Sequence, residues 1–438
     1  MDAPGAAGEP PFTLDPAPPA GEGHPVEDRP RQAPPKFKAV PFAYHAEVTF
    51  TVDNLTNLGD GVGRVDGWVV FVTGALPGER VTARIWHNSA NFSRGDLVRI
   101  HQRSPHRVEP RCPLFGSCGG CQYQNLAYPE QLRWKQAQLK EALARLGGVE
   151  VEVDPCHPSP REWGYRTKLT PHFQPPRGPG EFPIGFLHAH NARRLVDVPA
   201  CPIATDAVNA ALKDVRREVR ARAGEFRRGA TVLLRETKEG VVTDPRASVT
   251  ETVGDLTLRF VAGDFFQNNP SILPAFVGHA VDLAKASGAR HLVDAYCGSG
   301  LFALSAARHF ESVHGVEVSE DAVRKAAENA AANRLLNCRF VAGSAEAIFG
   351  KLPVKGPATA VIIDPPRKGC DEAFLAQLDA YAPRRIVYVS CAPDTQARDI
   401  RWLAARGWKV LSARPFDLFP QTRHIESIVA LVKEGNGE

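Results

Sequence analysis

Three observations in this 438-residue sequence predict an α/β protein whose C-terminal part is a doubly wound parallel sheet. From about residue 265 onward, strand-like and helix-like segments alternate regularly. A glycine turn, Asp294-Ala-Tyr-Cys-Gly-Ser-Gly300, joins one of those strands to a helix. Two strand-like runs, WKVLSARPFDL and SIVALVK, come last with no helix between them. Alternation of this kind implies crossover connections and parallel strands, and the last two runs imply an antiparallel hairpin at one side of the sheet.

Ahead of that sheet the sequence divides into three segments. Residues 1–41 hold eleven of the 37 prolines, with Gly, Ala and Glu between them. Such a segment buries too little apolar surface to offset its chain entropy, so a disordered tail is expected. Residues 42–102 carry AEVTFTVDNL, GWVVFVTGAL, ERVTARIWH and DLVRIHQ, separated by NLGDG, LPGE and SRGD. Short alternating runs with glycine-rich turns predict a small OB-like β-barrel. Residues 103–262 mix the strand-like runs YRTKLTPHF, IGFLHA, TVLLRE and LTLRFVAG with two helices, predicting a central α+β domain. One helix, PEQLRWKQAQLKEALARLGG, reads as amphipathic and closed by Gly147 and Gly148. The other carries Arg216, Arg217, Arg220 and Arg222, with Arg227 and Arg228 after it; a solvated face and a phosphate-contacting one explain it equally. Residues 263–438 form the catalytic domain.

Composition narrows the class. A formal net charge of +4 permits a nucleic-acid partner without requiring one. No apolar run approaches the roughly 18 residues of a membrane span, and no basic-then-apolar leader opens the chain, so a cytoplasmic protein without a membrane partner is expected. Nine cysteines in such a chain do not suggest a disulfide framework. Cys112, Cys118 and Cys121 crowd into one loop, which suits zinc or an iron–sulfur cluster with a fourth ligand from elsewhere, either Cys201 or Cys156.

The sheet supplies the chemistry. Glycines in the strand-to-helix turn let the backbone approach a ligand at the switch point. The third glycine of the dinucleotide fingerprint is missing, which disfavours NAD. Glu317, ending the next strand in HGVEVSE, stands where a ribose diol is gripped, and Asp364, in VIIDPPRKG, ends another strand at the same crevice. Arg367 follows the two prolines, where enzymes that methylate amino groups place an aromatic residue to stack the base. Cys391, in RIVYVSCAPDT, lies just past a buried strand and beside a helix start, whose positive end can stabilise a thiolate. A thiolate there suits methylation at carbon 5 of a pyrimidine, because attack at carbon 6 makes carbon 5 nucleophilic and a base must then remove its proton. The segment DLFPQTRHIE offers Asp417, His424 and Glu426 as that base, and spacing alone does not separate the last two.

Two resemblances add to this reading. The pattern G-D-G-V-G-R…G-W-V-V-F-V…G-A-L-P-G-E-R-V resembles the TRAM domain, an RNA-binding barrel. Residues 44–438 resemble the 5-methyluridine RNA methyltransferase family, in particular its bacterial 23S rRNA branch, through F-F-Q-N-N (265–269), D-A-Y-C-G-S-G, D-P-P-R-K-G, V-Y-V-S-C-A-P-D-T and D-L-F-P-Q-T-R-H-I-E. The resemblance implies a class I methyltransferase (Rossmann-like) sheet using S-adenosyl-L-methionine, with Cys391 as nucleophile and Glu426 as base. Gln267, Tyr296, Glu317 and Asp364 match the cofactor-contacting positions. Cys112, Cys118, Cys121 and Cys201 match the ligands of a [4Fe–4S] cluster. The implied substrate is a uridine of 23S rRNA and the implied state a monomer. The alternatives are a uridine in the tRNA T-loop and an inactive RNA-binding assembly factor. The sequence departs from the family pattern at Leu301, Ser344, Ala392 and Leu418.

Overall fold

The computed structural model describes residues 32–175, 182–343 and 348–435. The first 31 residues of the expected tail, and Ser344, lie outside them. The chain forms two compact units, one ending at Pro113 and the other beginning at Leu114.

The first unit contains a closed barrel of β1 (Glu47–Leu55), β2 (Asp60–Val65), β3 (Trp68–Thr73), β4 (Arg80–Asn88) and β5 (Phe92–Gln102), in the order β1-β2-β3-β5-β4. Its interior is filled by Phe50, Val52, Val70, Val72, Val81, Ala83, Ile85 and Leu97. Two stretches that read as turns are strands: GDG contributes to β2, and SRGD lies within β5. Gly59 does turn the chain, with φ +87°, but Gly61 and Gly95 serve packing. A Cβ at Gly61 would come 2.6 Å from Ala75 O, and one at Gly95 would come 3.0 Å from the Ala83 Cβ. Closing so small a barrel leaves no room for side chains there.

The second unit begins with the cysteine loop and α1 (Tyr128–Arg145). Short strands follow: β6 (Lys168–Leu169), β7 (His172–Phe173), β8 (Ile184–His188) and β9 (Asn191–Asp197), then α2 (Asp206–Ala221), β10 (Ala230–Thr231), β11 (Leu234–Thr237), β12 (Gly240–Val242) and the hairpin β13 (Ser248–Val253)–β14 (Leu256–Val261). The arginines of α2 are largely neutralised. Arg216 and Arg220 both bond Asp197, Arg217 pairs with Asp214, and Arg222 with Glu225. Ion pairing within the protein therefore accounts for most of this basic stretch.

The main sheet has seven strands: β15 (His291–Ala295), β16 (Ser312–Glu317), β17 (Cys338–Ala342), β18 (Thr359–Ile363), β19 (Arg385–Ser390), β20 (Trp408–Phe416) and β21 (Glu426–Lys433). The order is β17-β16-β15-β18-β19-β21-β20, with the first five parallel and β21 antiparallel to both of its neighbours. The expected terminal hairpin is present, and its second strand enters the sheet between β19 and β20. Strand residues alternate between two cores, as the period of two requires. Leu292, Ile362, Val387 and Val389 face α3 (Leu273–Lys285) and α4 (Leu301–Ala306), whereas Val293, Ile363, Ile386 and Tyr388 face α6 (Glu372–Tyr381) and α7 (Pro393–Ala404). Between β16 and β17 runs α5 (Glu320–Ala332), capped by the Ser319 hydroxyl, which accepts from Ala322 N–H. Pro393 opens α7 from its first turn, the position where a missing N–H costs nothing.

Candidate active site

The strand register assembles the site. Ser390 pairs with Ser427 across β19 and β21, so the next residue outward, Cys391, comes level with Glu426, which begins β21 and pairs on its other side with Phe416. Asp364 follows β18, one strand away, and its N–H bonds Ala295 O at 3.4 Å. These groups lie at the carboxyl edge of the parallel strands, where such sheets bind ligands.

Electrostatics link them. Burial, then the Asp364 carboxyl, pushes the Glu426 carboxyl up to about 8, with Arg367 and Lys135 opposing the rise. Burial alone lifts Asp364 to about 7. The Cys391 thiol rises to about 11 through burial and the Glu426 and Asp364 carboxyls, while Arg367 offsets part of this by charge and by a hydrogen bond. The expected thiolate stabilisation by a helix start is therefore outweighed by burial and the neighbouring carboxyls. Positive charge at this edge comes from Arg367, whose guanidinium also lies 3.4 Å from His424 Nδ1. Burial and the surrounding cations lower the His424 imidazole to about 4. At neutral pH it is thus an uncharged group between cations.

The glycine turn occupies the other half of the crevice. Tyr296, Gly298 and Gly300 all have positive φ, at 66°, 52° and 95°. This geometry folds the chain sharply between β15 and α4 and brings Gly298 N–H 3.1 Å from Glu317 Oε2. Val318 and Ser319 N–H groups bond Glu317 Oε1 at 2.8 and 3.1 Å. A carboxylate has about four acceptor sites, so Glu317 is fixed in place and can still accept a diol. Val318, 73 % exposed, offers an apolar surface beside it. Asp294 is wholly buried, with one oxygen accepting from Ala303 N–H at 2.8 Å and the other without a protein partner. Burial, with Asp364 and Glu317 nearby, holds its carboxyl well above the usual range. An orphaned buried oxygen beside a glycine turn fits a ligand carrying donors and positive charge.

Of the residues expected at the site, Cys391, Glu426 and Asp364 converge on one another, and Glu317 lies in the glycine-turn half. Tyr296 turns toward α6, its ring 5.2 Å from Phe374. Gln267 is buried in a segment whose ends are pinned. Phe266 stacks on Phe260 at 4.3 Å, Asn268 O accepts from Thr167 N–H at 2.9 Å, and Asn269 Nδ2 bonds Leu418 O at 3.0 Å. Sequence reasoning assigned no charge or binding role to Asp294, Arg367 or Lys135. Asp294, at the end of a buried strand, had a readable signal; the other two depend on packing between distant segments.

The cysteines separate into two places. Cys121 and Cys201 both bear on the buried Tyr165 hydroxyl, whereas Cys156 lies beside Asp417 and Lys135. Among the described residues no three His, Cys, Asp or Glu side chains are gathered so as to hold a metal ion.

Comparison with known proteins places this arrangement. The family model described as tRNA (Uracil-5-)-methyltransferase matches residues 247–434, and that of the TRAM domain matches residues 46–98. A tRNA (uracil(54)-C(5))-methyltransferase of Schizosaccharomyces pombe is 41% identical over 425 residues, covering 91% of this chain and 80% of that protein. The chain belongs to the tRNA (uracil-5-)-methyltransferase family. This methyltransferase is also 35% identical over 469 residues to the Saccharomyces cerevisiae tRNA (uracil(54)-C(5))-methyltransferase, covering 88% of the chain and 73% of the relative. It is 34% identical over 447 residues to an uncharacterized RNA methyltransferase of Gloeobacter violaceus, covering 88% and 96%. Its fold matches the crystal structure of Pyrococcus abyssi tRNA (uracil-54, C5)-methyltransferase in complex with S-adenosyl-L-homocysteine, with a TM-score of 0.69 at 24% identity, covering 88% of this chain and all of that one. Among the described residues no helix is long and apolar enough to cross a membrane.

Proposed function

We propose that this methyltransferase transfers a methyl group from S-adenosyl-L-methionine to carbon 5 of an RNA uridine through a covalent adduct between Cys391 Sγ and carbon 6, with Glu426 removing the carbon 5 proton. The observation that carries this reading is the β19–β21 register, which sets the thiol and the carboxyl level with each other at the crevice edge. The cofactor supplies an electrophilic methyl on a sulfonium. Glu317 would hold its ribose, and Gln267, Tyr296 and Asp364 are assigned to the rest of its site by the match to the family's motifs.

Cys391 loses its proton to solvent and its thiolate forms the bond to carbon 6; the ring electrons move to carbon 5, which would take the methyl as the sulfonium–carbon bond breaks, leaving S-adenosyl-L-homocysteine. Glu426, as carboxylate, then accepts the carbon 5 proton, the ring double bond re-forms and the carbon–sulfur bond breaks. Glu426 is preferred to His424 because it faces Cys391 in the register, whereas His424 lies against Arg367. The target base must leave its stack to enter this crevice.

Two RNAs are in contention as substrate. The TRAM barrel and cysteine loop favour 23S rRNA by family pattern, and the names of the two fungal relatives favour tRNA position 54. Mapping 5-methyluridine in both RNAs from a deletion strain decides: the RNA that loses the modification is the substrate, and no loss in either sinks the proposal. A [4Fe–4S] cluster on Cys112, Cys118, Cys121 and Cys201 belongs to the same proposal, supported by donor chemistry and by the match to the family's motifs. Iron and sulfide analysis of anaerobically purified protein tests it, and stoichiometric zinc would replace it.

A further inference from the structure

The loop between β20 and β21, residues 417–425, leads directly into Glu426, and its conformation is set from outside the sheet. At its tip Gln421 has φ +69°, in the left-handed region that a residue with a Cβ rarely occupies. It is held there by the segment after the cysteine loop. Gln131 of α1, 1% exposed, accepts from Gln421 N–H at 3.0 Å and donates to Gln421 Oε1 at 3.0 Å. The Gln131 amide also bonds Tyr123 O and Leu126 O at 3.0 and 2.8 Å, which fixes its own rotamer. Gln421 O accepts from the N–H groups of Gln122 and Tyr123 at 3.1 and 3.0 Å, and Arg423 N–H bonds Gln122 Oε1 at 3.2 Å. The loop is therefore closed at its base by the Phe416–Glu426 pair and pinned at its tip by Gln131.

We propose that Gln131 is a positioning residue for methyl transfer: by holding Gln421 left-handed it sets where the Glu426 carboxyl meets carbon 5 of a uridine seated on Cys391. This rests on the assignment of Glu426 as the base. An isolated buried glutamine would be ordinary helix packing. Here its amide forms reciprocal bonds with a strained residue five positions before the base, which packing alone does not require.

Proton removal from carbon 5 is the last chemical step, so a displaced base leaves the adduct formed but unresolved. Gln131→Leu keeps the volume and removes the bonds. It is expected to lower kcat roughly tenfold to hundredfold, to leave KM for S-adenosyl-L-methionine unchanged, and to accumulate a denaturation-resistant protein–RNA adduct on gels. Gln421→Gly, which adopts φ +69° without strain, should restore part of kcat in the Gln131→Leu background. If Gln131→Leu does not fold, Gln421→Ala, which loses only the side-chain half of the clamp, carries the same expectation. Unchanged kcat, or adduct and turnover falling in parallel, overturns the proposal. Glu426→Gln run alongside separates the levels. If it traps adduct and the clamp variants do not, the positioning role fails alone; if it traps none, the base assignment fails with it.

Discussion

Lys135 Nζ lies 2.6 Å from Asp417 Oδ1, and both side chains are wholly shielded from solvent. Lys135 also donates to Phe419 O at 3.2 Å, so one cation on α1 holds the start of the loop that leads to Glu426. Removing one member of such a pair strands the other charge in a medium that solvates it poorly. Lys135→Met should cost about 3–5 kcal/mol of unfolding free energy, measured by urea denaturation. Lys135→Met/Asp417→Leu should recover much of that loss, and a double variant no more stable than the single would contradict it.

Cys391→Ala should abolish methyl transfer and adduct formation while leaving S-adenosyl-L-methionine affinity near normal, because the thiol lies in the uridine half of the crevice. Isothermal titration and a tritium-release assay check the two halves separately. Residual turnover would move the nucleophile elsewhere.

The pH dependence follows from two groups held protonated. Glu426 must be a carboxylate to take the carbon 5 proton, and its carboxyl is raised to about 8. Cys391 must lose its proton, and its thiol is raised to about 11. Both favour the inactive protonation state at low pH, so kcat/KM should climb from pH 6 to 9, and a falling profile over that range would rule out this pairing.

Stability should run the other way. The folded-state Glu426 carboxyl keeps its proton up to about 8, well above an unfolded glutamate at 4.5. Between those values the folded chain binds more protons than the unfolded one, so this group's contribution to stability falls as pH rises through that window. Glu426→Gln removes the titration. Thermal melts at pH 5 and pH 8.5 should show the variant losing less stability than the parent over that interval.

Glu317→Ala should weaken S-adenosyl-L-methionine binding by about tenfold to hundredfold, the equivalent of about 1.5–3 kcal/mol for hydrogen bonds to a charged group. The same change leaves Gly298, Val318 and Ser319 N–H groups without their carboxylate. Equilibrium dialysis gives the affinity directly.

Local signals made much of this legible in advance. β15, β18 and β19 are largely apolar runs, the first running into the glycine turn and the others followed at once by Asp364 and Cys391, so sheet and site appear together in the sequence. Distant pairing was less visible. Nothing in SIVALVK says that β21 enters between β19 and β20, and only that insertion brings Cys391 level with Glu426. Helical periodicity gave α1 as a helix but not that Gln131, Lys135 and Gln138 share its buried face with Leu139 and Leu143, because their polar partners lie in distant segments. In the barrel, Gly61 and Gly95 read as turn residues because the neighbours that take the space a Cβ would need, Ala75 and Ala83, are not adjacent in the sequence. The raised thiol depended on which carboxyls the folded crevice collects.

Insertion of β21 also governs when the enzyme comes into being. A nascent chain that has emerged through β20 holds Cys391 at the open border of an incomplete sheet, with the hydrogen-bonding groups of β19 and β20 unmatched. On the proposed mechanism, a nucleophile without its base would capture uridines and not release them. Because the strand that begins with Glu426 is also the one that joins β19 to β20, the thiol gains its finished surroundings only as Glu426 arrives. One strand insertion would thus complete both groups.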